Sequence, residues 1–255
     1  MTDPAQIFSL SGSIALVTGA SGVLGAHFAR VLHAAGARVV LAARRADALA
    51  ALAAELGERA TAVALDVTDP AGVSRAFDAA EAAFGPCDVI INNAGIAVTR
   101  PVLQQTPEDW DSVLGVNLRG CFLVATEGAR RLVTAQRPGS IVNIASVLGQ
   151  RVIPGVAGYT AAKAGLLHLT RQMAVELARH RIRVNALAPG YVETPLNREF
   201  FSSEAGQAMI RRVPQRRLGR VEDLTGPLLL LASPAGAHMT GATLVVDGGH
   251  SVNPL

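Results

Sequence analysis

Short runs of β-branched and aliphatic residues alternate with alanine- and leucine-rich stretches along the whole chain, and this rhythm constrains the fold most. Apolar runs cover residues 13–18, 38–43, 60–65, 89–92, 140–144, 182–187 and 243–246. Helical patterns lie between them at 23–35, 46–56, 71–84, 110–136, 159–179 and 222–231. Gly36, Gly57 and Gly85-Pro86 stand where the first three of these must stop, because glycine closes helices and proline does not continue them. A β-α-β alternation of this kind predicts a parallel sheet covered by helices on both faces. The strands are almost continuously apolar, as burial of both faces requires. The expected architecture is α/β, a doubly wound parallel sheet of about seven strands. No linker, composition break or repeat interrupts the pattern, so one domain is expected over residues 1–255.

Length and composition exclude several classes. A chain of 255 residues can bury a sizeable core. Half of it is hydrophobic but only 4% aromatic, so that core must be built from Ala, Val, Leu and Ile. Net charge is +3 and no long basic run with interleaved aromatics occurs, which argues against a nucleic-acid-binding surface. Cys87 and Cys121 lie in apolar contexts without metal-ligand spacing. They read as buried free thiols of a protein in a reducing cytoplasm. The six histidines form no metal-binding pattern, and no metal site is expected. The first eight residues lack a basic-then-apolar signal segment. The apolar run 228–232 is bracketed by Pro227 and Pro234 and is far too short to span a bilayer.

Lys163 is the only lysine; every other member of the 23 Lys and Arg residues is arginine. It follows Tyr159, one of two tyrosines, by four positions in a helical pattern. Residues four apart share a helix face, so a phenol and a compact ammonium project into one region. A positive neighbour favours the phenolate form and would make Tyr159 a general acid/base usable near neutral pH. A surface lysine beside a half-buried tyrosine is the plainer reading of the pair alone.

The first strand runs into Thr18-Gly19-Ala20-Ser21-Gly22-Val23-Leu24-Gly25, where a helix begins. Glycines at a strand-to-helix turn let backbone N–H groups approach a pyrophosphate, as in Rossmann-type folds. That segment, with Asn92-Asn93-Ala94-Gly95, Asn117, Ser146, Tyr159-x-x-x-Lys163 and Pro189-Gly190-x-x-x-Thr194, resembles the short-chain dehydrogenase/reductase family from about residue 11 to residue 249. There is one departure. The family turn reads T-G-x-x-x-G-x-G; its middle glycine falls on Val23, and Gly22 is expected to supply the flexibility instead.

The resemblance implies that Tyr159 exchanges a proton with the substrate oxygen, and that Lys163 supports the phenolate and binds the nicotinamide ribose. Ser146 would hold the substrate oxygen, and Asn117 would anchor a water chain from the lysine. It also implies cofactor contacts at Gly19, Ser21, Gly22, Val23 and Leu24 for the pyrophosphate, and at Asp66 and Val67 for the adenine. Asn93 would wall the ribose, while Pro189, Val192 and Thr194 would clasp the nicotinamide. An acidic residue ending the second strand would favour NAD. Ala43 occupies that position and Arg44 follows, so NADP is expected, with NAD the alternative.

The implied activity is hydride transfer between the nicotinamide and a ketone or secondary alcohol. An alternative is a 3-oxoacyl-acyl-carrier-protein reductase, for which Arg137 matches one carrier-docking position and His180, flanked by Arg179 and Arg181, replaces the other. A third reading is an inactive cofactor-sensing or scaffold protein. Segments 147–156 and 196–213, with Phe200, Phe201 and Met209, either line an apolar substrate pocket under a lid at about 191–215, suiting a hydrophobic or mid-sized ketone or alcohol rather than a sugar, or simply close that lid onto the core. Family resemblance also implies a homotetramer paired through helices 110–136 and 159–179 and through the segment 240–249.

Overall fold

The structure, a computed structural model, describes residues 6–194 and 197–252. Seven strands form one all-parallel sheet: β1 (Ile14–Thr18), β2 (Arg38–Ala43), β3 (Ala60–Ala64), β4 (Val89–Asn92), β5 (Gly139–Ile144), β6 (Ile182–Pro189) and β7 (Thr243–Val246). Their spatial order is β3-β2-β1-β4-β5-β6-β7, each paired in parallel register with its neighbour. The chain winds outward from β1 to β3, then crosses back to lay β4 on the other side of β1. That reversal opens a crevice at the carboxyl ends of β1 and β4, where open α/β sheets take their ligands.

Strand alternation sorts the core into two layers. Ala15, Val17, Val39, Leu41, Val89, Ile91 and Val142 face one way and pack against α1 (Val23–Ala34), α2 (Ala46–Leu56) and a later helix at Thr225–Ala232. Ile14, Leu16, Val40, Ala42, Ile90 and Ile141 face the other way. They meet α3 (Pro70–Phe84), α5 (Cys121–Thr134) and α6 (Ala157–Leu177). Residues two apart on a strand share a face, so the continuous apolar runs serve both layers. Cys87 and Cys121 are both free and buried, and burial pushes the Cys87 thiol up to about 12. Among the described residues no helix is long and apolar enough to cross a membrane.

Two helical expectations need correction. The stretch expected at 110–136 starts earlier, as α4 (Pro107–Leu114), because Thr106 and Asp109 form a reciprocal capping box ahead of it. It is then interrupted by a π-helical turn at Gly115–Gly120 before α5 continues. Wide turns of this kind cluster at functional sites, and no hydrophobic periodicity announces them. The helix expected at 222–231 begins instead as a 3-10 turn at Val221–Leu224. The lid region folds as two short helices, α7 (Arg198–Ser202) and α8 (Glu204–Ile210). The Thr225–Ala232 helix is therefore α9.

One hydroxyl ties the crevice together. Thr18 Oγ1, at the end of β1, donates to Ile91 O at 3.3 Å and accepts from the N–H groups of Asn93 and Ala94, each at 3.0 Å. Asn93 Nδ2 returns the contact, donating to Thr18 O at 2.9 Å and Gly19 O at 3.3 Å. Thr18 is fully buried, and a buried polar group left unpaired costs about 1–3 kcal/mol. The isosteric change Thr18→Val should therefore destabilise the fold by about 3 kcal/mol, read from urea denaturation. An unchanged midpoint would show that the two strand ends are held elsewhere.

Candidate active site

The crevice continues as a cleft of about 1400 Å³. Every catalytic and cofactor candidate named from the sequence lines it: Gly19, Ser21, Gly22, Val23, Leu24, Arg44, Asp66, Val67, Asn93, Asn117, Ser146, Tyr159, Lys163, Pro189, Val192 and Thr194. Residues from Gly19 to Thr194 are brought together because the all-parallel sheet places the carboxyl ends of β1 to β6 on one edge.

At one end lies the glycine turn. Gly19 has a positive φ of 65°, a conformation glycine adopts without strain. Gly25 is required for another reason: a Cβ there would stand 2.3 Å from Gly19 O. Gly22 does not carry the flexibility expected of it. Its φ of −91° and ψ of 167° are extended backbone that any residue adopts. The departure at Val23 thus needs no compensating glycine, since Gly19 alone makes the turn. Gly22 is the residue before α1, and no side chain caps that helix. Gly22, Val23, Leu24 and Gly25 line the cleft, at the positive end of the helix dipole.

Beyond the turn lie two arginines. Arg44 is exposed and lines the cleft. Arg45, next in the chain, reaches across to the glycine turn. Its Nη2 donates to Ser21 O at 2.8 Å and to Ser21 Oγ at 3.3 Å. Only the arginine pair itself could have signalled this. Asp66 accepts from the amide and hydroxyl of Thr68 at 2.9 and 2.7 Å. Those two bonds, aided by the nearby Arg44 charge, hold its carboxyl below the usual carboxylate range.

The opposite end holds the tyrosine and lysine. Both project from the start of α6, and Lys163 Nζ stands 5.6 Å from the centroid of the Tyr159 ring. Lys163 is only 3% exposed. Its ammonium donates to Ile144 O, at the end of β5, at 2.7 Å, and no carboxylate pairs with it among the described residues. Ser146 Oγ accepts from Leu148 N–H at 3.1 Å, which leaves its own proton available for a ligand. Asn117 sits inside the π-helical turn. Its Nδ2 donates to Ile96 O and Val113 O at 2.7 and 2.9 Å, and its Oδ1 accepts from Ile96 N–H at 3.1 Å. A Cβ on Gly95 would lie 2.6 Å from Asn117 Oδ1 and 3.8 Å from Lys163 Nζ. Glycine at that position lets the two side chains converge.

The expected apolar lining is not observed. Within 147–156 no residue borders the cleft, and neither do Phe200, Phe201 or Met209. Leu196 lies outside the described residues. Phe201 is buried against the Tyr191 ring, with centroids 5.7 Å apart. Aromatic packing consumes Phe201, while Phe200 is exposed away from the cleft and Met209 is half-buried. From the lid, Asn197 reaches the cleft instead, a residue the sequence reading missed.

A family model described as enoyl-(acyl carrier protein) reductase matches residues 19–251. The gluconate 5-dehydrogenase of Gluconobacter oxydans (strain 621H) is 39% identical over 253 residues, covering 97% of this chain and 98% of the relative. The 3-oxoacyl-acyl-carrier-protein reductase FabG of Escherichia coli (strain K12) is 36% identical over 241 residues, covering 94% of this chain and 98% of the relative. A gluconate 5-dehydrogenase from Burkholderia cenocepacia J2315, solved in complex with NADP and tartrate, superposes with a TM-score of 0.93 at 37% identity. That match covers 98% of this chain and 99% of that one. Agreement of this extent, over a sheet and a cleft arranged as described, shows that the chain belongs to the short-chain dehydrogenase/reductase family and is an oxidoreductase acting on CH–OH and C=O groups.

Proposed function

We propose that this protein is an NADP-dependent ketone reductase or alcohol dehydrogenase in which Tyr159 is the general acid/base. The observation that carries this reading is the buried Lys163 ammonium, anchored to Ile144 O beside the Tyr159 ring and lining the cleft. An ammonium has three donors, and buried donors find acceptors. The carbonyl takes one, and the ribose hydroxyls of a nicotinamide nucleotide suit the other two.

The remaining cleft residues fit the same dinucleotide. The first N–H groups of α1, which no side chain caps, suit the pyrophosphate, whereas those of Ala20 and Gly22 are taken by Ala42 O and Gly19 O. Asp66 and Val67 would meet the adenine, and Asn93 the adjoining ribose. Pro189, Val192 and Thr194 would clasp the nicotinamide. Arg44 and Arg45 would receive the 2′-phosphate, for which guanidinium groups are geometrically matched. The solved relative with NADP supports that choice. When bound, the cofactor supplies or accepts the hydride.

The chain's own residues handle the proton and the charge. In reduction the Tyr159 O–H protonates the carbonyl oxygen; in oxidation the phenolate takes the alcohol proton. Ser146 donates its O–H to the same substrate oxygen, stabilising the charge that develops there. Lys163 favours the phenolate formed when the proton leaves. Asn117 anchors the path by which that proton is replaced.

The substrate we propose is a small carbonyl or hydroxy compound. With Ser146, Thr194 and Asn197 on the cleft wall, polar hydroxy acids suit it better than the hydrophobic ketone the sequence suggested. The name of the gluconate 5-dehydrogenase relative points the same way. A carrier-protein thioester is the second reading, favoured by the FabG relative. Against it, Arg137 is held by Asp88 at 2.6 Å and Arg181 donates to Gln136 O at 3.1 Å. An inactive cofactor sensor is the third, and the retention of both Tyr159 and Lys163 argues against it. Our proposal extends to one domain over 1–255 with a lid at about 191–215, a cytoplasmic location, and a homotetramer. A monomer mass by light scattering would contradict the tetramer.

NADPH oxidation over hydroxy-acid oxo forms, simple ketones and an acetoacetyl thioester tests the reading. Turnover should fall by about a thousandfold or more in Tyr159→Phe, with NADPH affinity within about threefold of wild type. Retention of turnover within about threefold would remove Tyr159 from the mechanism. Arg44→Asp should lower the NADPH-to-NADH ratio of kcat/KM by about tenfold or more; an unchanged ratio would place the 2′-phosphate elsewhere.

A further inference from the structure

The loop after β6 is held from two sides, and on the cleft side the one side chain among the described residues that bonds both Val192 and Thr194 is that of Asn197. Away from the cleft, Glu193 N–H donates to Gly219 O at 2.9 Å, and Gly219 N–H donates to Tyr191 O at 2.8 Å. Facing the cleft, Asn197 Nδ2 donates to Val192 O at 2.8 Å while its Oδ1 accepts from Thr194 N–H at 2.8 Å. Asn197 occupies the position before α7, where an asparagine ordinarily accepts from the helix's first amides. Here its side chain caps nothing on α7 and turns back to the loop. Its own carbonyl meanwhile accepts from Phe201 N–H at 3.0 Å. Asn197 thus joins the loop to α7, beside Arg198, whose N–H donates to Thr194 O at 3.1 Å and whose Nε donates to Glu193 Oε1 at 3.2 Å.

Such a fastening matters because there is space behind the loop. Val192 lines both the cleft and a second cavity of about 380 Å³. Without the Asn197 side chain the loop keeps its bonds to Gly219 and that of Arg198 N–H to Thr194 O, but loses the two that fix Val192 O and Thr194 N–H. A misplacement of about 1 Å at a reacting centre costs about a hundredfold in rate.

We propose that Asn197 is a positioning residue for hydride transfer, fixing Val192 and Thr194 so that the nicotinamide is presented to the substrate in one orientation. This rests on the NADP-dependent reading above. It assigns to the carboxamide a task the sequence alone does not reveal, and makes lid order and nicotinamide position parts of one device.

The test uses the full-length protein with Asn197→Ala and Asn197→Asp. In cofactor-free protein, amide hydrogen exchange over 190–197 should accelerate by about tenfold or more in Asn197→Ala. With NADPH and a turned-over substrate, kcat should fall by about tenfold or more, while NADPH affinity stays within about threefold. The primary isotope effect from 4-deuterated NADPH should rise as transfer becomes rate-limiting. Asn197→Asp keeps the acceptor for Thr194 and loses the donor to Val192, so it should fall between wild type and alanine in both readouts. Unchanged exchange, or faster exchange with kcat and isotope effect as in wild type, would overturn the proposal while leaving the oxidoreductase reading intact. Wild-type protein that binds NADPH yet reduces nothing would sink that reading, and the positioning role with it.

Discussion

Everything at this site is arranged around a positive charge taken out of water. Lys163 is almost wholly buried, and a backbone carbonyl, not a carboxylate, receives it. Burying an ion costs several kcal/mol, and one neutral acceptor offsets only part of that. A fold retains such a group when it serves chemistry. The ammonium faces the Tyr159 ring on one side and the nucleotide crevice on the other. In the proposed reaction those two neighbours use its charge and its remaining donors.

The sheet makes that placement possible. Ile144 ends β5, and its carbonyl stands at the carboxyl edge because every strand runs parallel. The same edge carries the glycine turn after β1 and the Asn93 segment after β4. Thr18 and Asn93 pin those two ends to each other where the strand order reverses. The π-helical turn then swings Asn117 into the convergence point above Gly95. Strand ends position the charged and polar groups, and the loop after β6 leads into the short helices α7 and α8.

Much of this was legible in the chain. Strand β2 and strand β4 have the bounds expected from their apolar runs, because continuous hydrophobicity between turn residues leaves little choice. The clustering of Tyr159, Lys163, Ser146 and the glycine turn followed from motifs whose order matches strand order. What escaped the reading was local and tertiary. A π turn has no periodic signature. Gly22 was expected to bend, but Gly19 alone supplies the positive φ. Phe201 looked like pocket lining until Tyr191 was seen to absorb it. The roles of Arg45 and Asn197 depend on contacts made across the crevice and across a loop, which a pattern of residue types does not encode.

Replacing Lys163 with methionine probes the central claim most directly, because shape is nearly kept while the charge is lost. Relief of a buried ion should leave the thermal midpoint unchanged or raised. Single-turnover hydride transfer should nonetheless slow by about a hundredfold or more. A well-folded Lys163→Met protein that transfers hydride within about threefold of the wild-type rate would contradict this account of why the ammonium is buried there.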